Sequence, residues 1–87
     1  MVRRNKTIVL GLSDGRTLLI KPSVSARLAR ATLRQLSNVR SLGSGVHWPD
    51  VDEDLSVRGF LEQAARGGPS VRLIEQSRRA RSAAYAI

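Results

Sequence analysis

The chain has 87 residues, no cysteine and a formal charge of +8, with 41% of its residues hydrophobic. That length suits one domain near the lower limit of a self-sufficient core, and the lack of thiols excludes a disulfide framework and thiolate metal sites, which fits a reducing compartment. Only Trp48, Phe60 and Tyr85 are aromatic, so Leu, Val, Ile and Ala must fill a small core, and a partner or second copy that covers more surface is expected.

The charge is unevenly placed. Residues 1–46 carry nine basic groups against Asp14, residues 47–62 carry five acids against Arg58, and residues 63–87 carry five arginines against Glu75. An acidic island between basic flanks suits contact with phosphate or an acidic protein surface, or an internally paired solvated face. The apolar run from Thr7 to Leu12 is too short for a secretory signal or a membrane span, so a cytoplasmic protein with no membrane association is the expectation.

In chain order, Thr7–Leu12 and Thr17–Lys21 are β-branched apolar runs joined by Ser13-Asp14-Gly15-Arg16, a strong hairpin signal. Pro22 ends the second run. A helical pattern from about Ser23 to Asn38 places Ala26, Ala29, Leu33 and Leu36 on one face, with a break expected near Ala31-Thr32 because Thr32 is a good N-cap. Val39–Leu42 reads as a third strand, Gly43-Ser44-Gly45 as a turn, and Val46-His47-Trp48 as a fourth strand stopped by Pro49. Ser56 is the expected N-cap of the clearest helix, whose apolar face is Val57, Phe60, Leu61, Ala64 and Ala65 and whose end is Gly67-Gly68-Pro69. Ser70 is read as the cap of a last helix. The expected fold is α+β: a small antiparallel sheet in β-β-α-β-β-α order with packed helices, as a domain over residues 1–68, followed by a basic extension over 69–87, helical or partly disordered.

The segment from Gly45 to Val57 holds the only His, the only Trp and four of the seven carboxylates. Asp50, Asp52 and Asp54 alternate as in a calcium loop, but Leu55 and Leu61 stand where that loop needs Gly and Glu. Three readings of these acids remain: a magnesium site from two of them, carboxylates facing the positive end of the next helix dipole, or a protein-contact surface. His47 has Ser44 and Asp50 three residues to either side, yet strand alternation sends His47 and Trp48 to opposite faces, which argues against a catalytic constellation. Arg27, Arg30 and Arg34 form a basic stripe suited to phosphate contacts or solvation. Arg16 is expected to pair with Asp14 or the acidic island. The residues imply no cofactor, no metal and no catalytic set.

Leu12-Ser13-Asp14-Gly15-Arg16-Thr17, Arg27-Leu28, Ala31-Thr32, the run Val46-His47-Trp48-Pro49-Asp50-Val51-Asp52-Glu53-Asp54-Leu55-Ser56-Val57, and Leu61 together resemble the bacterial domain-of-unknown-function family 2442. The resemblance covers roughly residues 7 to 66. It implies a small α+β domain, often encoded beside a protein of family 4160, a pairing that suggests a toxin–antitoxin module with this chain as the antitoxin-like member. It carries over no catalytic residue. Two departures are Val24-Ser25-Ala26, where members often have aromatics, and the arginine-rich extension to Ile87.

The expectation is therefore a non-enzymatic protein-binding module that occludes a small partner, such as a toxin encoded nearby. His47, Trp48, Asp50, Asp52, Glu53 and Asp54 would form the docking surface, with Arg78, Arg79 and Arg81 clamping the partner. The alternative is a nucleic-acid-binding regulator, autoregulatory and acting on DNA as a homodimer through Arg27, Arg30 and Arg34. A metal-dependent nuclease using Asp50, Asp52 or Asp54 is the third class.

Overall fold

Two hairpins seed two separate antiparallel sheets. The computed structural model describes residues 1–75. In chain order the elements are β1 (Ile8–Gly11), β2 (Thr17–Ile20), α1 (Ala26–Ala29), α2 (Leu33–Ser37), β3 (Arg40–Leu42), β4 (Gly45–Trp48), β5 (Glu53–Ser56), α3 (Val57–Ala65) and β6 (Val71–Ile74), with single 3₁₀ turns at Pro22–Val24 and Pro49–Val51. The strand orders are β1-β2-β6 and β3-β4-β5. The α+β class and the order of the first elements are as expected, with the predicted single sheet replaced by two of three strands each.

The first hairpin closes as its turn chemistry dictates. Gly15 sits at φ +93°, a conformation that L side chains resist. Asp14 Oδ1 accepts the Arg16 N–H at 3.0 Å, and Asp14 Oδ2 pairs with Arg16 Nε at 2.7 Å, the pairing expected for Arg16. The register sets Ile8 opposite Ile20 and Leu10 opposite Leu18, so one face of this sheet is wholly aliphatic.

The helical stretch breaks where Thr32 predicts. Thr32 Oγ1 accepts from the Gln35 amide and the Gln35 side chain accepts from the Thr32 amide, a reciprocal capping box. The break changes the phase of the apolar face. Leu28, Ala31 and Leu36 are buried, whereas Ala26 and Ala29 are exposed and Leu33 is largely so. A face drawn through one continuous helix misplaces those three residues.

Ser56 caps α3 as expected, accepting the Gly59 amide at 3.0 Å. Val57 and Phe60 are buried and Leu61 and Ala64 half-buried, but Ala65 is exposed. The helix ends in a Schellman motif: Gly67 at φ +73° donates to the Ala64 carbonyl and Gly68 to that of Gln63.

Two corrections concern strands. Residues 53–56, expected as an acidic lead-in to the helix, pair with β4, Trp48 facing Glu53 and Val46 facing Leu55. Residues 71–74, expected to begin a helix capped by Ser70, pair with β2 and complete the first sheet, Ile20 facing Val71. The anticipated boundary after residue 68 thus falls before a strand of that sheet. The rest of the expected extension, with Arg78, Arg79 and Arg81, lies outside the described residues.

One core joins both sheets to the helices. It gathers Ile8, Leu10, Leu18, Ile20 and Val71 from the first sheet, Val46 and Trp48 from the second, Leu28, Ala31 and Leu36 from the helical break, and Val57 and Phe60 from α3. Trp48 and Phe60 are its largest members, each worth about 1.5–3 kcal/mol on burial.

Candidate functional site

Strand alternation divides the His-Trp-Pro segment between two environments. Trp48 points inward, completely buried, and its indole N–H donates to the Leu36 carbonyl at 3.2 Å. That hydrogen bond joins β4 to the end of α2. Trp48 was expected on the docking surface; a fully buried ring cannot meet a partner without opening the core, so it is a structural anchor.

His47 points outward, about 23% exposed along its side chain, and its Nδ1 lies 2.6 Å from Asp54 Oδ1. An ionised carboxylate only accepts, so Nδ1 carries the proton. The two residues face each other across β4 and β5, and Arg40 faces His47 from β3. The outer face of the second sheet thus bears a row of Arg40, His47 and Asp54. The next row is Leu42, Gly45 and Ser56. Leu42 is 58% exposed, and with Gly45 lacking a side chain the second row forms a shallow notch.

The remaining acids separate instead of converging. Asp50 accepts from the Asn38 side chain at 3.0 Å. Asp52 adopts a left-handed conformation (φ +51°), its carbonyl accepts from the Arg27 guanidinium, and its carboxylate stands 3.9 Å from the same group. Glu53, half-buried, accepts from Ser25 Oγ, the hydroxyl that also caps α1. Four neighbouring carboxylates therefore have four different partners. Their partners tether β5 and its preceding turn to α1, the end of α2 and β4, and no acid lies within the first turn of α3. Among the described residues no group of three or more His, Asp or Glu side chains is placed to hold a metal ion. His47 pairs with Asp54 across the strands and not with Asp50, three residues along.

The basic stripe is also divided. Arg27 belongs to α1 and is drawn to Asp52, Arg30 is the C-cap of α1, and Arg34 belongs to α2. Arg30 and Arg34 are exposed with no carboxylate partner among the described residues. The residues of this outer face that the sequence reading missed are Arg40 and Leu42. Their signal was the expected strand at 39–42, which would have set them beside His47 and Gly45 once paired. An open cleft of about 580 Å³ between α3 and β6 is lined by Leu61, Ala64, Val71, Leu73 and Arg16 and includes none of the nominated residues. Among the described residues no helix is long and apolar enough to cross a membrane.

No curated protein and no solved structure matches this chain. A family model described as a protein of unknown function, DUF2442, matches residues 2–66, from the segment ahead of β1 through the end of α3. The match spans the hairpin, the capped helical break and the whole His-Trp-Pro to Ser56 segment, and the chain belongs to the DUF2442 family.

Proposed function

We propose that this protein is a non-enzymatic, antitoxin-like binding module that docks a small partner protein on the outer face of its second sheet and occludes the partner's working surface. The observation that carries this reading is the division of the family segment. Its inward residues are committed to folding, while the outward face leaves Leu42 exposed beside the polar side chains of Arg40, His47 and Asp54. An apolar anchor flanked by polar and charged side chains is the composition of a small docking patch. β3 is an edge strand among the described residues, and all three of its residues are exposed. An extended segment of the partner can therefore add to the sheet there through main-chain hydrogen bonds, with Leu42 setting its register.

Co-expression with the product of the adjacent gene, followed by affinity capture, tests the reading. The neighbour is expected to co-purify with the parent protein and to be lost with Leu42→Asp at unchanged thermal stability. A neighbour that never co-purifies, or that binds Leu42→Asp equally well, contradicts it.

A second reading, a DNA-binding autoregulator acting as a homodimer, draws support from the unneutralised Arg30 and Arg34. It predicts DNA affinity that falls steeply with salt concentration. A flat salt response in an anisotropy titration rejects it.

A further inference from the structure

The outer face of the first sheet carries a pocket of about 230 Å³ walled by three cations from three separate segments: Arg3, Lys21 and Arg72. Its remaining polar wall is Thr7 and Ser70, and Leu19 contributes apolar surface. No carboxylate lines it, and none pairs with these three cations among the described residues.

The backbone builds this convergence. Lys6 takes a left-handed conformation (φ +68°), and the Arg3 amide donates to the Thr7 carbonyl at 2.9 Å, so a tight turn folds Arg3 back to the start of β1. Leu19 faces Arg72 across β2 and β6, and the Lys21 amide donates to the Ser70 carbonyl at 2.8 Å. Lys21 therefore lies one pleat along from Leu19, diagonal to Arg72 on the same face. Ser70 Oγ is fixed by a 2.8 Å hydrogen bond with Ser23 Oγ. Like charges at diagonal cross-strand positions repel, and among the described residues no carboxylate pairs with them to offset this.

We infer that this pocket is a phosphoryl-anion site, with Arg3, Lys21 and Arg72 as charge-assisted donors and the Ser70 and Thr7 hydroxyls completing the hydrogen-bond shell. Cations, hydroxyls and a lack of acids are the recognition chemistry of phosphate oxygens. The small volume suits a phosphate or diphosphate group and not an entire nucleotide. The site is independent of the protein-docking face, which lies on the other sheet. The phosphoryl group can come from a free ligand or from a nucleic-acid backbone.

The test uses the full chain, with amide chemical shifts followed during titration with pyrophosphate and, separately, with a short single-stranded DNA oligonucleotide. Shifts are expected at Leu19, Ser70 and Arg72. The double variant Lys21→Gln/Arg72→Gln should bind at least about tenfold more weakly through loss of two charge-assisted contacts. Arg66→Gln, which removes an exposed cation at the C-cap of α3, serves as the control for general charge and should bind like the parent. Arg3→Gln supplies an independent lesion on the amino-terminal turn should the double variant unfold. Pyrophosphate binding that the variants abolish supports the site with a free phosphoryl ligand. Oligonucleotide binding alone, its log–log salt slope reduced by roughly 1.4 in the double variant, supports it with a backbone phosphate. Equal weakening by Arg66→Gln, or no shift with either ligand, overturns the inference.

Discussion

Replacing Trp48 by phenylalanine separates a core anchor from a surface contact. The substitution keeps one aromatic ring but removes the rest of the indole and its N–H. The ring is completely buried and its N–H donates to the Leu36 carbonyl at 3.2 Å, so both losses count. Smaller packing in a site that cannot fully collapse costs about 1–2 kcal/mol. Leaving the carbonyl without its donor adds about 1–3 kcal/mol. The sum, about 2–5 kcal/mol, is a large share of the about 4–13 kcal/mol expected of an 87-residue domain. At about 4–8 °C per kcal/mol for a domain of this size, the midpoint should fall by on the order of 8–40 °C in a circular-dichroism melt. Because Trp48 is the only tryptophan, its fluorescence gives a second reading. Native emission should be blue-shifted and should move to the red on unfolding. Native emission already at the position of water-exposed indole, or a variant that melts with the parent, refutes the placement of Trp48 at the centre of the fold.

Four further outcomes follow from local geometry. Ser56→Ala should cost about 1 kcal/mol by removing the acceptor for the Gly59 amide, read from urea denaturation. Gly59→Ala should fail to give the usual helical gain, because its Cβ would stand 3.0 Å from Ser56 Oγ; combined with Ser56→Ala the gain should return. Hydrogen bonds from the Arg16 amide and then its guanidinium hold Asp14 below the ordinary aspartate range. Folding thus favours the ionised form: its contribution is present above the ordinary pKa and is lost as pH falls through the depressed one. Asp14→Asn should therefore destabilise at neutral pH, and its difference from the parent should close in that acid range; parallel pH curves would contradict this. Glu53→Gln weakens the acceptor of the Ser25 hydroxyl and should speed amide exchange in α1 while sparing the first hairpin, as measured by hydrogen exchange.

The elements most legible in the sequence were those fixed by local chemistry. Asp14-Gly15 specifies its hairpin, Thr32 and Ser56 specify helix starts, and Gly67-Gly68 specifies a helix end, each through hydrogen bonds within a few residues. The alternation that sent His47 and Trp48 to opposite faces also held. β5 was hidden because Glu53-Asp54-Leu55-Ser56 has poor intrinsic strand preference; its pairing with β4 is a tertiary decision. β6 had a readable signal in Val71-Arg72-Leu73-Ile74, but the arginines that follow invited a helical reading. The acidic segment misled for a physical reason: proximity in sequence suggested a shared purpose, whereas strand and turn geometry aims its carboxylates at Asn38, Arg27, Ser25 and His47 separately. Arg40 and Leu42 entered the candidate site only through cross-strand register, which the sequence does not state.

The docking claim is most directly tested by mapping the surface that a co-expressed partner protects. Isotope-labelled protein titrated with that partner should show its largest amide shifts at Arg40, Leu42, His47 and Asp54, with the Trp48 indole N–H unmoved. Shifts concentrated on α1 and α2, or in the cleft between α3 and β6, with the second sheet silent, would contradict it.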